Sequence, residues 1–174
     1  MRIRKLWLVL VALAVAVPVA GCGGKGERAG ASTTVGDVKL NGSLKDSRTW
    51  SVDGLASLPG QQTQEVNFVG EGMQKSVKGT GVLLYDLLQR AKPKFDPKKK
   101  RDALRYAVLV HATDGYATSI AWGEIDPDFA GKPILVTVEE NGKKLGRPGL
   151  IVPGDKHGGR HVYDMDRITL VGLK

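Results

Sequence analysis

Cysteine is nearly absent from this sequence. The 174 residues contain one cysteine, Cys22. An intramolecular disulfide, an iron–sulfur cluster and a thiolate zinc site all draw on several cysteine sulfurs, so none of the three is expected. The folded chain must therefore be stabilised by packing.

Motifs of several common enzyme classes are also missing. The chain has no Gly-x-Ser-x-Gly elbow, no phosphate-binding loop and no dinucleotide-binding fingerprint between a strand and a helix. These motifs place a nucleophile or a row of backbone amides where the chemistry requires them. Hydrolase, nucleotidase and NAD-dependent functions accordingly have no support from the sequence.

The N-terminal 34 residues have the composition of an export signal followed by a tether. Basic residues precede an apolar segment, residues 6–20, which is too short to span a membrane. Val19-Ala20-Gly21-Cys22 resembles the lipobox of bacterial lipoproteins, in which the cysteine is acylated and becomes the first residue. We predict a signal peptide over residues 1–21, lipidation at Cys22 and a flexible tether over residues 22–34.

These features predict a lipid-anchored protein on the extracytoplasmic face of the cell membrane. The alternative is an ordinary cleaved signal peptide with an unrelated cysteine. The chain carries a net charge of +8, which falls to +5 when the predicted signal peptide with its three basic residues is removed; this charge attracts anionic lipid headgroups over short distances. Membrane lipid, through Cys22, is therefore an expected partner, and nucleic acid is not.

Residues 35–174 have the pattern of a single strand-rich domain with one main helix. Residues 107–112 are an almost uninterrupted apolar run, which predicts a strand covered on both faces in the middle of a sheet. Leucines spaced along residues 82–91 predict a helix that packs on the sheet. Further strands are predicted at 35–42, 48–52, 64–69, 74–78, 117–120, 133–140, 149–153 and 162–173, with a brief helix at 54–58 capped by Asp53. The fold class is therefore α+β or mixed α/β.

Two loops carry candidate ligand-binding residues. The turn at Asp114-Gly115 holds Asp114 and Tyr116 at the mouth of the apolar strand, where a rigid scaffold commonly presents a ligand site. The loop at residues 154–160 offers glycine amides together with Lys156 and Arg160, which suit an anion cradle. For each loop a structural interpretation stays open, since Asp-Gly closes turns without a ligand and glycine-rich loops end hairpins.

Five segments of the chain resemble one known family. They are residues 50–59, 81–88, 112–120 with Asp-Gly-Tyr-Ala-Thr-Ser-Ile, 140–142, and 150–162 with Gly-Asp-Lys-His-Gly-Gly-Arg-His-Val. In this order they resemble the oxidoreductase molybdopterin-binding domain of the sulfite oxidase superfamily. The resemblance implies the sulfite oxidase fold, in which several small sheets surround a cofactor cleft.

The resemblance also implies roles for single residues. Tyr116 falls where catalytic members place an active-site tyrosine, and Arg160 and His161 fall in the segment that holds the pterin phosphate. Asp114 would suit the amino-oxo edge of a pterin. Tyr116 and Trp122 would wall a flat ring, although aromatic side chains beside a core strand also serve as packing.

The sequence departs from the family at the metal site. The cysteine that binds molybdenum is expected near residues 66–72, and no cysteine or substitute ligand occurs there. An expected arginine is replaced by Leu150 and an expected lysine by Tyr163, which weakens the charge match to a phosphate. A bound molybdenum cofactor is therefore not expected, and no residue is assigned a catalytic role.

A separate metal site is not predicted either. His157 and His161 are four residues apart with Asp155 nearby, but this spacing converges on one face only in a helix. Gly158 and Gly159 between them oppose a helix.

The predicted function is that of a non-catalytic, membrane-tethered protein that binds a flat heterocycle such as a free pterin. The family resemblance extends to periplasmic pterin-binding relatives that report to a membrane signalling partner, so a signalling or redox partner in the membrane is expected. Two alternatives stay open: a molybdopterin-dependent oxidoreductase, and an accessory lipoprotein without a ligand.

Overall fold

A computed structural model describes residues 36–173 of the chain. The predicted signal peptide, Cys22 and the tether lie outside these residues. Within the described part, no helix is long and apolar enough to cross a membrane.

The described residues form strands arranged in two sheets, with three short α-helices. The strands are β1 (Val38–Gly42), β2 (Arg48–Trp50), β3 (Gln62–Gly70), β4 (Met73–Leu83), β5 (Tyr106–Ala112), β6 (Ala117–Ala121), β7 (Leu135–Glu140), β8 (Lys143–Ile151) and β9 (Met165–Gly172). The helices are α1 (Val52–Ala56), α2 (Leu84–Arg90) and α3 (Trp122–Ile125). This strand-rich arrangement is the mixed α+β class that the sequence predicts.

The first sheet has the order β2-β1-β9-β5-β6. Strand β9, which the sequence places last, is its centre and pairs in parallel with β1 and antiparallel with β5. Strand β5 lies inside the sheet between β9 and β6, as predicted, but the prediction that it is covered on both faces is wrong. Val108, Val110 and Ala112 are buried, whereas the residues between them are only half-buried. The apolar run therefore reflects one fully buried face and one half-covered face.

The second sheet is antiparallel throughout, with the order β3-β4-β7-β8. Tight turns at Glu71-Gly72 and Asn141-Gly142 join its hairpins, and all four residues have positive φ angles between 51° and 76°. Both turns lie where the sequence predicts them, because asparagine and glycine tolerate this backbone region, but β8 begins at Lys143, six residues before the strand predicted at 149–153.

The main core is shared by both sheets and the helices. Leu84, Leu87 and Leu88 of α2 are at most 1% exposed and belong to this core, as the leucine spacing predicts. Helix α2 begins two residues later than predicted because Val82 and Leu83 continue strand β4.

Helix α1 differs from its prediction in position and in its cap. It spans Val52–Ala56, and the Ser51 hydroxyl accepts a hydrogen bond of 3.0 Å from the Gly54 amide. The predicted cap, Asp53, lies in the first turn and pairs with Lys144 of β8. Serine and aspartate are nearly equivalent as caps, so composition alone does not distinguish the two positions.

Candidate functional site

A pocket of about 290 Å³ lies between the β5–β6 hairpin and the loop that leads into β9. It is lined by Ala112, Asp114, Tyr116, Gly158, Gly159, His161 and Tyr163. Cavities that bind small molecules measure about 300 to 1,000 Å³, so this pocket suits a small ligand. Three of the predicted residues, Asp114, Tyr116 and His161, thus meet in one place.

The hairpin turn is held in shape by Asp114. Its Oδ1 accepts a hydrogen bond of 2.9 Å from the Tyr116 amide, and Gly115 takes a φ of +89°. The Ala112 amide then donates to the Tyr116 carbonyl at 2.9 Å and closes the hairpin. Asp114 therefore does close its turn, and its exposed carboxylate also lines the pocket.

Tyr116 joins the two walls of the pocket. Its phenol donates a hydrogen bond to the carbonyl of Gly159 in the opposite loop. The side chain is 44% exposed, and that of Tyr163, which also lines the pocket, is 54% exposed. Two accessible phenol rings therefore line the pocket.

His161 has a buried side chain without hydrogen bonds. It is 6% exposed, and neither ring nitrogen has a hydrogen-bond partner. One face of the ring stacks on Phe68, with 4.2 Å between the ring centroids and an interplanar angle of 23°. An unsatisfied buried polar group destabilises a fold by about 1 to 3 kcal/mol, so such groups are uncommon and often functional.

The imidazole of His161 is uncharged at neutral pH. Burial lowers its pKa from the ordinary 6.5; the nearby Asp155 carboxylate partly opposes this, and the Arg160 guanidinium adds to it. Single buried polar atoms without partners also occur at Trp50, Gln61 and Asp166, but these residues do not line the pocket.

Arg160, one residue earlier, is fully engaged within the protein. Its Nε and Nη2 donate to the two carboxylate oxygens of Asp155 at 2.8 and 2.7 Å, and its Nη1 donates to Glu124 of α3 at 2.8 Å. Lys132 lies 3.4 Å from Asp155 and 3.8 Å from Glu124. We refer to Glu124, Lys132, Asp155 and Arg160 as the ion-pair cluster.

The pKa values of the ion-pair cluster favour its charged form. The hydrogen bonds from Arg160 lower the pKa of Asp155 despite its partial burial. Burial raises the pKa of Glu124, but the hydrogen bonds from Arg160 and the Ala121 amide outweigh it and the pKa is lowered. The pKa of Arg160 is raised by the same two carboxylates. All three groups are thus charged at neutral pH.

Two predicted residues of an anion cradle are not in the pocket. Arg160 faces the carboxylates of the ion-pair cluster, and Lys156 is exposed outside the pocket lining. The carbonyl of Lys156 accepts a hydrogen bond of 2.9 Å from Val69, which fixes the loop against β3. The loop at residues 154–160 is therefore held in place by its hydrogen bond to β3 and by the ion pairs of Arg160.

Trp122 lies in the main core and does not wall the pocket. It is 1% exposed, and its Nε1 donates to Asp126 at 2.8 Å. Its ring packs against Tyr85 and Phe95. Of the two interpretations of this residue, packing is the one that its position supports.

No metal cluster is formed by the histidines. Within residues 36–173, no group of three or more His, Cys, Asp or Glu side chains could hold a metal ion. His157 is exposed and lines a neighbouring cavity of about 330 Å³, whereas His161 is buried against Phe68.

Sequence reasoning missed two contributors: Tyr163, which lines the pocket, and Phe68, which stacks on His161. A Cβ on Gly158 would lie 2.7 and 2.8 Å from ring carbons of Phe68, so glycine is required for the loop to approach this ring. Contacts between distant segments of this kind leave no local signal.

A further cavity of about 300 Å³ lies near the start of α1. It is lined by Gly36, Asp37, Ser51, Val52, Asp53, Lys144, Leu145 and Gly146. The charged heads of Asp53 and Lys144 pair with each other there, so it offers less to a ligand than the pocket at His161.

Comparison with known proteins gives a similarity of fold. No family model matches the chain, and no curated protein does. Among solved structures, 26 chains match. One is the sulfane dehydrogenase SoxCD from Paracoccus pantotrophus, with a TM-score of 0.60 and 17% identity, covering 78% of this chain and 38% of that chain. The chain thus spans well under half the length of this neighbour. Because the identity is so low, the similarity shows a shared fold alone.

Proposed function

We propose that this protein is a membrane-anchored, non-catalytic binding protein whose fold is of the sulfite oxidase type and whose pocket holds a flat, pterin-like heterocycle. The observation that carries the proposal is His161: a buried imidazole without partners in the wall of a pocket. The fold similarity to a sulfane dehydrogenase is consistent with the family resemblance of the sequence.

The pocket has the chemical groups that a small aromatic heterocycle requires. A neutral imidazole donates one hydrogen bond and accepts another, and Asp114 accepts from N–H groups. The exposed phenol rings of Tyr116 and Tyr163 offer faces for stacking. A ring with adjacent N–H and carbonyl groups would satisfy both His161 and Asp114.

Ligand entry involves the Tyr116–Gly159 hydrogen bond. Both nitrogens of His161 are buried, so a ligand reaches them only when part of the pocket wall shifts, and Gly158-Gly159 is part of that wall. The Tyr116 phenol holds that wall through the Gly159 carbonyl. The pocket is therefore expected to open by releasing this contact.

The residues present do not fit a molybdenum cofactor. The position expected for the thiolate ligand falls on β3 and its turn, where Phe68 stacks on His161 and no sulfur is available from any residue between 66 and 72. The arginine expected to meet the pterin phosphate is Arg160, which is bound to Asp155 and Glu124. Molybdenum chemistry is therefore not part of the proposal.

The proposal is tested on full-length protein produced in a host that makes the molybdenum cofactor. After purification, bound molybdenum is measured, and the denatured extract is examined for pterin fluorescence. A pterin without molybdenum supports the proposal. Stoichiometric molybdenum would instead support an oxidoreductase, and the absence of both would support an accessory lipoprotein without a ligand.

A substitution then assigns the site. Asp114→Ala removes the carboxylate that lines the pocket, and we expect it to abolish pterin retention. Asp53→Ala is the matched control, since Asp53 is an exposed carboxylate that lines a different cavity. Unchanged retention in Asp114→Ala would remove Asp114 from the site.

Membrane attachment is proposed from the lipobox and is tested separately. Metabolic labelling with a fatty acid should modify the wild-type chain and not a Cys22→Ala variant. The variant should also be released from membranes by washing. Equal labelling of both chains would contradict lipidation at Cys22.

A further inference from the structure

We infer that the pocket selects an uncharged ring and rejects its phosphorylated form. In this inference Arg160 anchors the loop through its ion pairs with Asp155 and Glu124 and does not bind an anion. This inference rests on the proposed function and specifies its ligand class. It departs from the phosphate-binding role that the family resemblance implies for Arg160.

The lining of the pocket carries no positive charge. Of its seven residues, Asp114 is the one with a carboxylate side chain, and none is a lysine or an arginine. A phosphate in this pocket would therefore face a carboxylate, and like charges brought together without a cation between them weaken binding. A ring that presents N–H groups would instead complement Asp114.

The two cations of the ion-pair cluster are already neutralised. Arg160 donates to Asp155 and Glu124 through three of its nitrogens, and Lys132 lies within 3.8 Å of both carboxylates. The ion-pair cluster therefore contains two positive and two negative groups. An anion would have to displace a bidentate carboxylate from Arg160, and this geometry is among the strongest that arginine makes.

Neighbouring basic groups do not change this balance. Lys75, which lines the adjoining cavity, pairs with Glu71 at 2.7 Å. Lys156 is exposed and lines neither cavity, and His157 lines only the adjoining one. Exposed lysines attract a phosphate weakly because salt and water screen them.

His161 adds hydrogen-bonding capacity without adding charge. Its burial disfavours the protonated imidazole, as the lowered pKa indicates. Its ring lies beside Phe68 in an apolar contact, which further opposes a charged partner. The ligand class is accordingly an uncharged, planar nitrogen heterocycle with an amino-oxo edge toward Asp114 and His161.

The first test compares two ligands that differ only in a phosphate. Binding of 6-hydroxymethylpterin and of its phosphate monoester to the full-length chain is measured by quenching of pterin fluorescence. We expect the uncharged pterin to bind at least about tenfold more tightly. Equal or tighter binding of the ester would overturn the inference and leave the proposed function standing. Binding of neither would overturn the proposed function, and the inference with it.

The second test releases Arg160 from its carboxylates. In the double variant Glu124→Gln and Asp155→Asn, the guanidinium is no longer neutralised, and we expect the preference for the uncharged pterin to shrink by roughly tenfold. Arg160→Gln should weaken both ligands by the same factor, because it loosens the loop without removing an anion receptor. A selective loss of ester binding in Arg160→Gln would contradict the anchoring role of Arg160.

A third variant keeps the fold of the hairpin intact. Asp114→Asn retains an oxygen to accept from the Tyr116 amide but removes the negative charge. We expect weaker binding of the uncharged pterin and a smaller preference over the ester, with Asp53→Asn as the unchanged control. An unaltered preference in Asp114→Asn would show that this carboxylate does not select the ligand.

Discussion

Arg160 and His161 are adjacent in sequence, but their side chains differ in how far their hydrogen-bonding groups have partners. Three nitrogens of Arg160 donate to carboxylates within 2.8 Å, whereas both nitrogens of His161 lack a partner. Arg160 points to α3 and Asp155, and His161 lies on Phe68 in the wall of the pocket.

This difference suggests that two neighbouring residues of one loop serve different ends, Arg160 the stability of the fold and His161 the binding of a ligand. A fully satisfied charge network contributes to holding the loop in place, and it leaves nothing for a ligand to bind. An unsatisfied imidazole reduces stability, and it persists where a ligand completes its hydrogen bonds. The comparison therefore supports an anchoring role for Arg160 and the proposed ligand-binding role for His161.

Removal of Arg160 should give the largest change in stability. Arg160→Gln leaves the partly buried Asp155 and Glu124 without their main partner, and we expect the free energy of unfolding to fall by about 2 to 3 kcal/mol. Urea unfolding measures this effect.

The control for Arg160 is an exposed ion pair elsewhere. Lys144→Gln breaks the pair with Asp53, which is mostly exposed, and should lower stability by less than about 0.5 kcal/mol. A similar loss in both variants would mean that the ion-pair cluster has no special anchoring role.

Acid should weaken the ion-pair cluster next. Arg160 holds the pKa of Asp155 below 3.8, so the folded protein takes up this proton less readily than the unfolded chain. The resulting stabilisation is complete above the unfolded pKa and is lost as the pH falls through the lower folded pKa.

This pH dependence is measured by urea unfolding between about pH 5 and pH 2. Wild type should lose stability over that range more steeply than Asp155→Asn, which has no titrating group at this position. Parallel slopes for the two proteins would contradict the role assigned to Asp155.

Substitution of His161 should act in the opposite direction on stability. His161→Phe preserves a ring that stacks on Phe68 and removes two unsatisfied nitrogens, so we expect stability to rise by about 1 kcal/mol. Pterin binding should be lost in the same variant. A loss of stability accompanied by retained binding would reverse the assignment of roles in this loop.

A smaller loss of stability than for Arg160→Gln is expected at Tyr116. Tyr116→Phe removes the hydrogen bond to Gly159 and keeps the ring, so stability should fall by about 0.5 to 1 kcal/mol. Because this bond holds the pocket wall, stopped-flow fluorescence should show faster pterin association. An unchanged association rate would mean that the wall opens by another route.

Much of the fold was predictable because its turns are local. Asn141-Gly142 and Asp114-Gly115 specify their hairpins through residues that tolerate positive φ, and the leucines of α2 specify its buried face. The central position of β9 was not predictable, since strand order depends on pairing between β1 and β9, which lie far apart in sequence.

The candidate site was predictable in part for the same reason. Asp114 and Tyr116 stand at a turn that the sequence marks clearly, and the family resemblance pointed to His161. The engagement of Arg160 depends on Glu124, which lies on α3 and is brought close only by the fold. The burial of Trp122 likewise depends on Tyr85 and Phe95 from other segments.

Binding of 6-hydroxymethylpterin to the full-length chain, compared between wild type and His161→Phe, tests the central claim most directly. Urea unfolding of both proteins confirms that each is folded before binding is measured. Binding by wild type and none by the more stable variant is the result that we predict. Equal binding by both proteins, or none by wild type, would contradict the role of the unpartnered imidazole.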